Sequence, residues 1–234
     1  MKHHTNRFFC SLFLFICIAH FGYGQMDGQS TLQRTMMRDL KWNMALKRAG
    51  DVRPVYLFNE NYLEADLVAP TGKLITRQKF RLNLQESKLY YLDSVQTEME
   101  VVNPVKKITF IEQEGNNAVV NFEKGFPPVD NLNADNYYQV LVPGKASLLL
   151  DTKFIDVDRI EYPSGVPIKR TDKLVNYYGS AGLSTVKLVK TENIVELLAD
   201  KSKEISTYIQ KENIKIKKQS DLVKVFTYYN SLFQ

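Results

Sequence analysis

Hydrophobic patterning divides the chain into two textures. From Asp51 to about Lys190, short runs rich in Val, Ile, Leu, Tyr and Phe alternate with turn signals, the pattern of antiparallel β structure. Phe80, Leu82 and Leu84 alternate with Arg81 and Asn83, giving a strand one dry and one wet face. Gln85-Glu86-Ser87 then turns into Leu89-Tyr90-Tyr91-Leu92. Lys106–Ile111 and Ala118–Phe122 flank Gly115-Asn116-Asn117, a hairpin signal. Tyr138–Val142 and Ser147–Leu150 flank Pro143-Gly144, where proline followed by glycine suits a type II turn. Phe154–Ile160 reads as a further strand. Gly179-Ser180-Ala181-Gly182 reads as a hairpin turn between Leu174–Tyr178 and Val186–Val189. Gly125–Asn136, with two prolines, three asparagines and no period, reads as a loop.

Helical periodicity replaces alternation in the last stretch. Thr191 is placed to cap Glu192–Ala199, and Asp200 to cap a helix from Lys201 to about Glu212 with Ile205, Tyr208 and Ile209 inward. Ser220 begins a third helix carrying Leu222, Val223, Phe226, Tyr229 and Phe233 at helical spacing. A connector of about seven residues between the two longer helices predicts an antiparallel pair. Near the start, Leu32, Met36, Leu40 and Met44 recur every four residues, predicting an amphipathic helix over Ser30–Arg48 whose stripe packs on the following domain. The expected fold class is α+β, mainly β: an antiparallel β-sandwich or rolled sheet followed by a C-terminal helical hairpin. The expected organisation is a signal peptide at 1–24, an N-terminal helical segment at 25–50, an antiparallel β domain at 51–190 and a helical subdomain at 191–234.

The first 24 residues have the three-part layout of a secretory leader. Lys2 and Arg7 precede an apolar run from Phe8 to Phe21, and Gly22 and Gly24 supply small residues for cleavage near Gly24–Gln25. At about 14 residues the run is shorter than the roughly 18 that a spanning helix needs. Neither Cys10, after Phe9, nor Cys17, after Ile16, has the small preceding residue of a lipidation signal. The expected product is periplasmic or secreted, with no transmembrane segment after leader removal. All three histidines and both cysteines lie in this leader. The mature chain therefore excludes Ser-His-Asp and Cys-His nucleophiles, zinc sites built on imidazole or thiolate, and disulfides.

Charge changes the picture little. Taking Lys2 and Arg7 from the 31 basic residues leaves 29 against 26 acidic ones, without the strong clustered excess of a nucleic-acid binder. With no histidine, stability is expected to be flat between pH 6 and 8 unless a carboxylate or lysine is strongly perturbed. No phosphate-binding loop, dinucleotide fingerprint, nucleophile elbow or metal-ligand spacing occurs, so no cofactor and no metal is expected.

Three features remain as candidate chemistry. Asp156 and Asp158 share one face of their strand, with Glu161 nearby; two such oxygen donors could start a calcium or magnesium site, and paired carboxylates could do glycosidase work, neither of which needs histidine. Solvated acids on a strand are the plainer reading. Four Tyr-Tyr dipeptides occur, and in strands each sends one ring to either face. Tyr90, Tyr91, Tyr137, Tyr138, Tyr177 and Tyr178 are thus candidates to stack on sugar rings or line a protein contact, against ordinary packing on both sides. Lys215, Lys217 and Lys218, with Lys211, form a basic cluster that suits an anionic surface or a solvated connector.

The run Val52-Arg-Pro-Val-Tyr-Leu-Phe-Asn-Glu-Asn-Tyr62, then Gly72-Lys73 and Lys79-Phe-Arg-Leu-Asn-Leu84, resembles a group of exported proteins of Bacteroidetes-type bacteria. Those carry a G-x-P-[YF]-[LF]-x-[DE]-[EN]-[WFY] opening, a glycine-lysine turn and a [KR]-[YFL]-[DN]-[LV] strand. Asp200–Glu204, Asp221–Val223 and Tyr228–Ser231 are similar to that group's helical tail. The likeness runs from Val52 to Leu232, matches loosely over Gly125–Tyr162, and departs at Arg53, where the group has glycine. It implies a Gram-negative envelope setting and the domain layout, and no catalytic residues. The function expected is non-catalytic binding or structural support in the cell envelope, with an envelope glycan or protein partner. A carboxylate-only glycan hydrolase using Asp156 and Asp158, or a membrane-surface protein using the basic connector, are the alternatives.

Overall fold

The structure is a computed structural model that describes residues 53–111, 119–161 and 165–234. The predicted leader, the Ser30–Arg48 helix, the Gly115-Asn116-Asn117 turn and residues 162–164 lie outside the described residues.

Among the described residues, ten strands form one sheet in which every pairing is antiparallel. They are β1 (Leu63–Val68), β2 (Leu74–Asn83), β3 (Lys88–Leu92), β4 (Glu98–Glu100), β5 (Lys107–Ile111), β6 (Val119–Glu123), β7 (Tyr138–Val142), β8 (Ala146–Glu161), β9 (Val166–Ala181) and β10 (Ser184–Lys187). The spatial order is β10-β9-β8-β7-β6-β5-β1-β2-β3-β4. The helices α1 (Thr191–Leu197), α2 (Ser202–Lys211) and α3 (Gln219–Ser231) follow. The fold is α+β and mainly β, as the alternation predicts, and its strands share a single continuous sheet.

One connection shapes the first half. The chain leaves β4 at the sheet edge and returns to β5 beside β1 in the six residues 101–106. Four strand spacings of about 4.8 Å nearly exhaust six extended residues at about 3.4 Å each. The sheet rolls over its own apolar face, and the connection crosses the roll with Val105 buried in its core. Ala65, Leu67, Phe80, Leu82, Leu89, Met99, Ile108, Phe110 and Phe122 fill that core. Phe58, Phe110 and Phe122 meet edge to face or tilted at 4.9–6.0 Å between ring centres.

The same sheet face continues across β7–β9 and is there covered by the helices. Val142, Ala146 and Leu148 pack with Ile194, Leu198, Ile205, Leu222, Val225, Phe226 and Tyr229. Gly179 permits this approach: a Cβ there would lie 2.4 Å from Leu197 Cδ2 and 2.8 Å from Phe226 Cζ. The end of α3 is tied to the β7–β8 turn by Asn230. Its Oδ1 accepts from Ala146 N at 3.0 Å, while Nδ2 donates to Ala146 O at 2.9 Å and Pro143 O at 3.3 Å. Gly144 makes room for this contact, since a Cβ there would lie 2.3 Å from Asn230 Nδ2.

The caps differ from the sequence reading. Lys190 holds the N-cap position, and it is Asn193 Oδ1 that accepts from the Lys190 and Val189 amides, at 3.0 and 3.3 Å. Asp200 lies in a 3-10 turn (Ala199–Lys201), where its carboxylate takes the Tyr229 hydroxyl at 2.9 Å and the Lys145 ammonium at 2.9 Å. A carboxylate with two charged or phenolic donors gains more there than from one backbone amide.

Candidate functional site

Strand alternation sends the neighbours of each Tyr-Tyr pair to opposite faces, and here both faces are covered. Tyr90, Tyr91, Tyr137, Tyr138 and Tyr178 are buried. Tyr137 donates to Val105 O at 2.7 Å inside the rolled core. Tyr138 and Tyr178 pack edge to face at 5.6 Å on the other side of the sheet. Tyr177 is half-buried against the helices. These rings are packing elements and offer no stacking platform at the surface. Lys215, Lys217 and Lys218 are exposed, on a connector that Ile214 and Ile216 anchor to the helical core. Asp221 Oδ2 accepts from the Lys215 amide at 3.1 Å.

Asp156 and Asp158 lie on a part of the molecule whose extent the sequence did not reveal. β8 and β9 pair over their full 16 residues, from Ala146↔Ala181 to Glu161↔Val166. β7 accompanies β8 only as far as Leu150, and β10 accompanies β9 only over Tyr178–Ala181. The remainder is a two-stranded ribbon with both edges unpaired. Its base rests on the chain's described start, where Tyr56 meets Phe154 at 5.2 Å. Arg53 reaches Asp156 at 3.4 Å and Thr171 at 3.2 Å, and Thr171 donates to Asp156 at 2.6 Å. The Thr171 hydrogen bond, helped by Arg53, holds the Asp156 carboxyl below its ordinary value. A general acid needs the opposite shift. Asp158 is exposed opposite Lys169.

The other face of the ribbon alternates apolar with charged side chains, each apolar residue standing opposite a charged one. Ile155, Ile168 and Leu174 stand at odd-face register positions of paired strands and are 43%, 40% and 47% exposed, with Val157 between them. Arg159 and Arg170 bracket Asp172 at 2.7 and 3.4 Å, an ion triad set directly opposite Ile155, Val157 and Ile168 on the same face. Strands normally protect such edges by pairing or by covering them.

A second cluster, absent from the sequence reading, lies at the ribbon's root. Antiparallel register pairs Gln139 with Leu150 and Asp151 with Asn176, and one further step places Tyr138 opposite Asp151. Asn176 stands opposite Asp151, yet Asp151 Oδ2 and the Tyr138 hydroxyl are buried with no protein partner. Burial pushes the Asp151 carboxyl above its ordinary value, the Asp130 charge adding to this while Lys153, Asn176 and Lys187 oppose it. Tyr178 donates to Asp130 at 3.1 Å, and Lys187 stands 3.8 Å from the same carboxylate. The available signal was an acid closing the apolar run Leu148-Leu149-Leu150.

Among the described residues, no three His, Cys, Asp or Glu side chains gather in a metal-binding group, and no helix is long and apolar enough to cross a membrane. A groove of about 410 Å³ runs between α1 and α2, lined by Val195, Ile209, Glu192, Glu196 and Gln210. No family model matches the chain, and no curated protein or solved structure matches it either.

Proposed function

We propose that this chain is an exported, non-catalytic binding or structural protein of the bacterial cell envelope, and that the β8–β9 ribbon is its contact element. The observation that carries this reading is the ribbon itself: a two-stranded arm with unpaired edges and an exposed Ile155, Ile168 and Leu174 strip. A two-stranded ribbon is marginal alone. This one is braced along its first half by Arg53, Tyr56, Gln85 and the body of the sheet. Folding gains little from an apolar strip left in water, whereas a protein partner that covers it gains apolar burial and edge hydrogen bonds together. The leader pattern and the resemblance to exported Bacteroidetes-type proteins support the envelope setting.

Assembly size tests the proposal. Wild-type protein extracted gently from the envelope is expected to sediment in a complex heavier than the monomer. The double substitution Ile155→Glu, Leu174→Glu is expected to release it as a folded monomer. Identical sedimentation of the two proteins contradicts the proposal.

A further inference from the structure

On the sheet face away from the helices, the segment 125–136 lies over Tyr138, Leu149 and Tyr178 through Phe126, Val129 and Leu132. It supports itself: Gly125 N donates to Ala134 O at 2.8 Å, and Val129 and Leu132 form a small antiparallel bridge. Its polar tie to the sheet is Asp130, held by the Tyr178 hydroxyl and the Lys187 ammonium. Beneath it sit the two unpartnered atoms, Asp151 Oδ2 and the Tyr138 hydroxyl, on residues 7% and 1% exposed.

Orphaned polar atoms at this depth call for an explanation. An ionised carboxylate is an acceptor on every lone pair and loses its full hydration when buried, whereas a neutral carboxyl loses far less. The groups facing Asp151 do not replace that hydration. Asn176 and Tyr178 come from β9, Tyr138 from β7, Lys153 from β8 and Lys187 from β10, while Asp130 descends from the loop and Glu123 stands beside Tyr138 on β6. Both lysines are partly solvated, and Lys187 is shared with Asp130. The apolar cover lies against Tyr138, Leu149 and Tyr178, the neighbours of Asp151 on this face.

We propose that the 125–136 loop is a proton-controlled cover, seated while Asp151 is a neutral acid and lifted when Asp151 ionises and draws water to its carboxylate. Its opening exposes Phe126, Tyr138 and Tyr178, so the molecule presents a different surface on either side of the transition. An exported domain experiences the pH of its surroundings directly, which gives such a cover something to respond to.

Pulsed hydrogen exchange from pH 4 to pH 8, corrected for intrinsic exchange, reads the cover in the intact protein. Protection of the 126–136 amides is expected to fall at least tenfold as pH rises in the wild type and to stay level in Asp151→Asn, which keeps the side chain's shape. Wild-type protection that stays level, or an equal fall in Asp151→Asn, overturns the proposal. Carbon-13 titration of the Asp151 carboxyl is independent of any variant: a midpoint above the ordinary 3.8 supports the cover, and a midpoint at or below it refutes the cover.

Discussion

Asp151 shows what one residue's surroundings do that its sequence context does not declare. An acid after three leucines reads as a strand end, and its burial depends on Phe126, Val129 and Leu132 arriving from a loop with no periodic signal. Its consequence for pH has a definite sign. Between the ordinary value and the raised folded one, the native state keeps a proton that the unfolded chain has released, so stability falls as pH rises through that window. Asp151→Asn is therefore expected to be more stable than wild type above the window, with the denaturation midpoint measured in urea at pH 4 and pH 7. Asp200 works oppositely: the Lys145 ammonium, then the Tyr229 hydroxyl, hold its carboxyl below the usual range, so its contribution is present above 3.8 and lost as pH falls through the depressed value. Asn230 is a purely structural counterpart. Asn230→Ala removes three hydrogen bonds that bracket the β7–β8 turn and is expected to cost about 1–3 kcal/mol in the same urea assay.

At the scale of elements, the strands with one wet face were legible and the long hairpin was not. Phe80 and Leu82 announce β2 because inward and outward positions differ in polarity. β8 and β9 appeared as separate fragments, Ser147–Leu150, Phe154–Ile160 and Leu174–Tyr178. Asp151, Lys153, Lys169 and Lys173 interrupt the apolar pattern wherever the ribbon has solvent on both sides. Helix positions were readable to within a few residues, because Ile205, Ile209, Leu222, Phe226 and Tyr229 recur at helical spacing and are all buried. The need for Gly179 was hidden, since it arises only when α1 and α3 settle on β9. Gly179→Ala is expected to cost about 1–3 kcal/mol by overpacking, and Leu197→Ala in the same chain to recover part of that cost, as a double-mutant cycle measures. Ile155→Glu with Leu174→Glu is expected to shift thermal stability by less than about 1 kcal/mol, since isolated surface changes stay within about 0.5 kcal/mol each.

At the scale of the whole molecule, one sheet carries two large apolar cores and a smaller one beneath the 125–136 loop. The rolled core of β1–β6 and the helix-covered core of β7–β9 meet at a seam where β6 and β7 pair only through Phe122↔Gln139 and Glu123↔Tyr138. Phe226→Ala is expected to lower exchange protection in α1–α3 and β8 while sparing β1–β3, and Phe110→Ala to do the reverse. Uniform loss in both would show that the seam does not divide the molecule. The ribbon springs from the helix-covered half and reaches back to Arg53 at the start of the rolled half, touching both. Its proposed role as the contact element is tested most directly by a photo-crosslinking residue placed at 155, 168 or 174 in the native cell. Val95 and Leu183, on turns and 74% and 95% exposed, serve as controls that are more accessible still. The account predicts one adduct of common mass from the three ribbon positions and none from the controls. Adducts from every position alike, or from none, contradict it.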